Sequence, residues 1–149
     1  MEKSTKMDQQ NADTGDLLKL LRHGTLDGVI YCGEAQPAFP LFLSRLCQEH
    51  AILREQVIQR AGIERSYGHQ LFNGLRRPSR DKALQLAFGF SLDEKQTQAL
   101  LRSAEVGELT PRVKRDAVIL YGLMHQLSLE DTQKLLIHYS LRPIGGEQT

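Results

Sequence analysis

LREQVIQRAGIERSYGHQLFNGLRRPS, residues 53–79, holds two short runs of helical apolar spacing, one closed by Gly62 and the other by Gly74. In the first, Val57, Ile58 and Ala61 fall on one side of a helix over 54–61, and Gly62 suits the positive φ that ends helices. A second helix follows almost at once, over 64–73, with Leu71 and Phe72 as its apolar contacts. The loop Leu75-Arg76-Arg77-Pro78-Ser79 is basic, and Ser79 is placed to cap a further helix over 80–89, whose inward residues are Ala83, Leu84, Ala87 and Phe88.

On the N-terminal side, Leu43, Leu46, Cys47 and His50 predict a helix over 41–50 that begins after the breakers Pro37 and Pro40. Residues 1–12 are polar and aperiodic, the composition of a disordered segment. Leu17, Leu18, Leu20 and Leu21 suggest one short helix over 16–22. On the C-terminal side, Ser91-Leu92-Asp93-Glu94 reads as a capping box with Ser91 at the N-cap, opening a helix with Thr97, Leu100, Leu101 and Ala104 inward. Thr110-Pro111 reads as the start of a helix over about 111–126, with Val113, Ala117, Leu120, Tyr121 and Met124 as its inner stripe. Ser128 caps a last helix, about 131–140, with Thr132, Leu135, Leu136 and Tyr139 inward. The starts at Ser91 and Ser128 share a grammar with little identity, and capped helix pairs are common, so the likeness is weak evidence of duplication.

The expected organisation is all-α. A partly disordered N-terminal arm with one short helix covers 1–40, a five-helix domain 41–106, and a C-terminal helix pair 107–149.

The chain has 149 residues and a formal net charge of +1, yet residues 41–82 carry eight basic side chains against four acidic ones. The positive charge therefore sits where a polyanion would dock. No run of about 18 apolar residues occurs, and the first ten residues lack a basic-then-apolar leader, so no membrane association and a cytoplasmic location are expected. Cys32 and Cys47 form no CxxC pair. Cys47 with His50 has a ligand-like spacing, but two residues make no metal site, and a buried thiol is the better reading. No catalytic constellation, cofactor motif or effector pocket can be read, so neither enzyme nor cofactor is expected.

A helix, a three-residue turn and a second helix let one short helix lie in the major groove of DNA while its predecessor crosses the backbone. Here Gly62-Ile63 in the turn, Leu71 inside the second helix, Gly74 after it and the basic approach to Pro78-Ser79 resemble the lambda-repressor-like family of helix-turn-helix regulators, the xenobiotic-response-element type. The resemblance covers about 43–90. A more specific run, Tyr67-Gly-x-Gln-x-Phe-Asn-Gly-x-Arg-x-Pro-Ser-Arg-Asp-Lys82, is similar to one in small bacterial regulators of this kind, and Arg115-Asp116-Ala117 looks like part of the same group. The resemblance implies a sequence-specific transcriptional regulator, a repressor, that binds double-stranded DNA, with a homodimer on paired half-sites as the natural assembly. The C-terminal helices, with Tyr121, Met124, His125 and Tyr139, are candidates for the dimer contact or for covering the core.

With Gly68, Leu71 and Phe72 inward, helix 64–73 offers Arg65, Ser66, His69, Gln70 and Asn73 on its outer face. Arg suits guanine O6/N7, and Gln or Asn suits adenine N6/N7. Arg54, Tyr67, Arg76, Arg77 and Arg80 are candidates for phosphates. The bland alternative is a solvated polar face, and the rival function is a protein-interaction adaptor without useful DNA affinity.

Two positions depart from the family pattern. Ile58 stands where a small residue is usual, and Gly68 where a β-branched one is usual. Both face one interhelical contact, so a volume exchange is expected, with Ile58 filling the space that Gly68 leaves.

Overall fold

The computed structural model describes residues 38–145 together with Leu18 and Arg22. Among these residues there are seven α-helices and no strand: α1 (Ala38–Glu49), α2 (Arg54–Ala61), α3 (Arg65–Phe72), α4 (Arg80–Phe90), α5 (Glu94–Ser103), α6 (Lys114–Met124) and α7 (Leu129–His138). Leu18 and Arg22 have helical backbone. The remaining expectations for the arm lie outside the described residues.

The all-α class holds, and the helices at 54–61 and 80–89 stand where their caps and glycines put them. Gly62 takes φ +69° and closes α2, and Ser79 Oγ accepts the Lys82 amide at 3.2 Å to open α4. Helix α1 starts earlier than expected because Pro40 sits inside its first turn, where the missing N–H has no intrahelical partner to lose.

The helices pack around two cores, and α4 belongs to both. Its Leu86, Ala87 and Phe90 join Leu43, Leu46, Val57, Ile58, Leu71 and Phe72 beneath α1, α2 and α3. Its Ala83, Leu84 and Phe88 join Leu101, Leu109, Ile119, Leu123, Leu136 and Ile144. Burying a leucine fully is worth about 1.5–3 kcal/mol, so a helix apolar on both sides gains most by lying between two layers. That is why α6 and α7, the expected C-terminal pair, pack onto α4 and α5.

Residues 80–110 and 115–145 are two copies of one helix pair, in a register of 35 residues. Arg80 bonds Asp116 through Nη1 and Nη2 at 2.9 and 2.7 Å, and Arg115 bonds Asp81 through Nη2 at 3.2 and 3.0 Å, so each copy's arginine holds the other's aspartate. Arg80 also donates to the carbonyls of Gly107 and Glu108, and Arg115 to those of Arg142 and Pro143. The Thr110 amide donates to Asp116 and the Gly145 amide to Asp81. Gln98 exchanges two hydrogen bonds with the backbone of Leu109, as Gln133 does with that of Ile144. Ser91 and Gln126 share a left-handed backbone, as do Glu105 and Ser140.

This register corrects the sequence reading. Ser91 is not the N-cap of α5: its φ of 60° makes it the C-cap of α4, and the capping box is Asp93 with Gln96. The counterpart of Ser128 is therefore Asp93, two residues beyond Ser91, and the misplaced cap hid the repeat. Thr110-Pro111 also fails as a helix start, since the Thr110 amide is committed to Asp116 and α6 begins only at Lys114. The inner stripe of α6 is likewise rotated. Asp116, Ile119, Leu120 and Leu123 are buried, while Val113, Tyr121 and Met124 are exposed, as is Tyr139 after α7. Every position of α6 from Ala117 to Met124 is apolar, so spacing could not choose its face, and the buried Asp116 did. Cys47 is half-buried against the first core, which pushes its thiol pKa up.

Candidate nucleic-acid interface

Two eight-residue helices and a three-residue turn build the candidate face. Gly62 ends α2 with its N–H on the Gln59 and Ile58 carbonyls, and the Ile63 amide reaches back to the Ile58 carbonyl at 3.2 Å. This double closure turns the chain sharply and tucks Ile63 into the core. Glu64 then caps α3, its carboxylate accepting the Ser66 and Tyr67 amides at 2.9 and 3.0 Å. Those two backbone bonds, at the positive end of the helix, hold its pKa below the usual glutamate value.

Gly68, Leu71 and Phe72 are buried, as expected, so α3 turns its other side outward. A Cβ placed on Gly68 would lie 2.6 Å from Cγ2, 2.7 Å from Cγ1 and 2.9 Å from Cδ1 of Ile58. The predicted volume exchange is thus present as a contact, with Ile58 occupying the space a side chain at 68 would need.

The outer face brings Arg65, Ser66, His69, Gln70 and Asn73 together around one shallow concavity, which Glu55 and Glu64 also line. Arg65 is 78% exposed. Its Nε and Nη2 lie 2.9 and 2.7 Å from Glu55 Oε1, and His69 Nε2 lies 3.0 Å from the same oxygen. The hydrogen bonds from His69 and then Arg65 hold the Glu55 carboxyl below its ordinary pKa, so it is an anion at neutral pH. Gln70 accepts from Arg76 Nε at 2.6 Å, and Asn73 accepts from Arg54 Nη1 at 2.8 Å. Either amide retains its NH₂ donors for a ligand.

The candidate phosphate residues divide. Arg54 lies over the Phe72 ring at 5.1 Å, and Arg76 over the Tyr67 ring at 5.0 Å. Tyr67 is half-buried against the first core, so its ring serves first as a platform for Arg76 and Lys82. Arg77 is 90% exposed and 3.9 Å from Glu105. Arg80 leaves the group: its guanidinium makes four bonds to Asp116, Gly107 and Glu108, which assigns it to the repeat interlock. Lys82 takes its place, with Nζ 5.7 Å from the Tyr67 ring.

Glu55, Glu64 and Lys82 were missed by the sequence reading. A polar residue in the first turn of the leading helix, ten positions before Arg65, was the available signal for Glu55. Its sign opposite to Arg65 gave the reason for a pair.

No family model, curated protein or solved structure matches this chain.

Proposed function

We propose that this protein is a sequence-specific double-stranded DNA-binding regulator, a repressor, of the lambda-repressor-like helix-turn-helix kind, with α3 as the major-groove helix. The observation that carries the reading is the outer face of α3: Arg65, Ser66, His69, Gln70 and Asn73 border one open concavity. Arg54 and Arg76 adjoin it through Asn73 and Gln70, Lys82 lies over the Tyr67 ring of α3, and Arg77 is exposed on the loop that follows α3. The hydrogen bonds from Arg54 and Arg76 orient the two amides before any ligand arrives, which reduces the ordering cost of a bidentate contact. Each good base contact of that type contributes about 1–3 kcal/mol of discrimination.

Fluorescence anisotropy with duplex fragments over a salt series tests this. Affinity should fall along a log-log line with slope near −0.9 per phosphate contact. Arg77→Ala should weaken all sequences alike, and Gln70→Ala should change the preference among them. Absence of binding to a genomic fragment pool at low salt refutes the reading.

One observation favours the rival adaptor. Glu55 already occupies Arg65 and His69, and an anion there repels phosphate. In that reading the concavity meets a protein partner, and the salt series shows no DNA-dependent line.

A further inference from the structure

Arg80 of the first helix pair holds Asp116 of the second, and Arg115 of the second holds Asp81 of the first. Such a reciprocal exchange is the mark of a local two-fold axis, here running between the crossed ion pairs, so the first turns of α4 and α6 are neighbours at one end of the molecule. The 35-residue register that matches Arg80 with Arg115 also matches the loop before α4, Leu75-Arg76-Arg77-Pro78-Ser79, with Thr110-Pro111-Arg112-Val113-Lys114 at the start of α6. Arg112 is thus the counterpart of Arg77, and both loops are basic.

A run of contacts joins the two loops. Arg76 bonds Gln70 on the α3 face, Arg77 lies 3.9 Å from Glu105, and Arg80 donates to the Gly107 and Glu108 carbonyls. The surface therefore continues from α3 through the first basic loop to the second. The second loop is held by its own backbone: the Thr110 amide donates to Asp116, and the Arg112 and Val113 amides return to Thr110 Oγ1 at 3.3 Å and to the Thr110 carbonyl at 3.1 Å. Arg112 and Lys114 stand exposed, and among the described residues neither side chain has a hydrogen bond or an ion pair. The neighbouring acids have partners already, since Glu105 faces Arg77 and Glu108 pairs with Arg102 at 3.2 Å.

We propose that the loop at the start of α6 is a second phosphate-binding loop, on which Arg112 and Lys114 hold the backbone of duplex DNA beyond the base pairs that α3 reads. This contact rests on the DNA-binding reading of α3 and lies outside the helix-turn-helix unit. The fold gains little from either charge. Both are exposed, and a lysine in the first turn of a helix sits where the macrodipole disfavours a cation. Negative charge from a partner is what the position lacks. Duplex phosphate fits it better than an acidic segment of another protein, because phosphates repeat along the strand and one partner then reaches both the α3 face and the loop.

Fluorescence anisotropy of the full chain on a long duplex from the fragment pool, over a salt series, tests this. Arg112→Ala with Lys114→Ala should make the log-log slope shallower by about 1.8, from about 0.9 per phosphate contact, and leave the ranking of sequences unchanged. Lys95→Ala with Lys134→Ala removes the same charge from exposed positions on α5 and α7 and should keep the wild-type slope. Trimming the duplex stepwise toward the α3 site should cost the wild type affinity before the Arg112 and Lys114 variant loses any. All four side chains are exposed, and thermal melts confirm that both variants fold. A wild-type slope after the loss of Arg112 and Lys114, or an equal change in both variants, overturns the proposal; if Gln70→Ala still alters sequence preference, the reading of α3 survives. Loss of polyglutamate binding with an unchanged duplex slope overturns it too and gives the loop to an acidic protein. A chain that binds no duplex at all takes both readings down.

Discussion

Gly68→Val puts the α2 and α3 contact to the test. Carbon atoms pack best at about 3.5–4.0 Å, and a Cβ at position 68 would meet Ile58 Cγ2 at 2.6 Å and Cγ1 at 2.7 Å, roughly 1 Å too close. Neither atom can swing away, because both hang directly from the branched Cβ of a residue that is 2% exposed and stiff at χ1. The helices must separate instead. Valine regains part of the roughly 1 kcal/mol of helix propensity that glycine forgoes relative to alanine, but overpacking costs about 1–3 kcal/mol, and the two methyls beyond Cβ place this change at the top of that range. Ile58→Ala alone leaves a cavity and should cost about 2–5 kcal/mol.

Combined, the two changes fill each other's space. The double variant should be less destabilised than the sum of the singles by about 2–3 kcal/mol, the upper end of coupling seen between touching residues. Urea unfolding of all four proteins, followed by far-UV circular dichroism, reads this directly. A wild-type midpoint in Gly68→Val, or a cycle additive to within about 0.5 kcal/mol, would refute the reasoning.

The repeat interlock yields two expectations. Arg115→Met removes the guanidinium from Asp81, which is 5% exposed and keeps the Gly145 amide, and should cost about 3–5 kcal/mol in the same assay; a loss under 1 kcal/mol would mean that the crossed pairs hold little. Burial pushes the Asp116 pKa up, but the bonds from Arg80 and the Thr110 amide outweigh it, so the folded value lies below the ordinary 3.8. Its contribution is thus complete above about pH 4 and is lost as pH falls through the lower folded value. Thermal melts should show an acid limb there that is shallower in Asp116→Asn. For the DNA reading, Glu55→Gln removes an anion from the candidate face and releases Arg65. Duplex affinity at low salt should rise severalfold, and unchanged or weaker binding to every fragment would argue that α3 does not face phosphate.

Legibility followed how local the deciding physics was. Gly62, Ser79 and Ser128 fix helix ends through their own backbone and side chains, and all three stand as read. Ile58 and Gly68 were legible as a pair because one inter-helix contact joins them. The inner stripe of α6 was not, since Tyr121, Met124, Ile119 and Leu123 are equally apolar and only the ion pair from Arg80 to Asp116, 36 residues away, selects the face. The repeat escaped for a related reason: its strongest marks are hydrogen bonds of Gln98 and Gln133 to distant backbone, and its most visible caps, Ser91 and Ser128, are not equivalent. In the candidate site, the exposure of Arg65 and Asn73 followed from periodicity. Their capture by Glu55 and Arg54 depended on how closely α2 and α3 approach.

That approach is set by two glycines in series. At Gly89, α4 presses on the backbone of α2, where an added Cβ would meet the Val57 carbonyl at 2.8 Å and Ala61 Cβ at 3.1 Å. At Gly68, α3 settles onto Ile58 of that same α2. Interaxial distances depend on the side chains between the helices, so both contacts lie at the close end of the range, and the height of α3 above α4 is fixed by the Val57 carbonyl on one side of α2 and by the stiff Ile58 side chain on the other. Arg76 and Lys82 reach the Tyr67 ring of α3 from the loop before α4 and from α4 itself, and they hold their places only while that height is kept. The same glycine explains why one helix pair of the repeat carries the layer of α1, α2 and α3 and the other does not. Both pairs offer an apolar face of similar design, but the first has no side chain at position 89 and the second has Met124, so the layer has one seat.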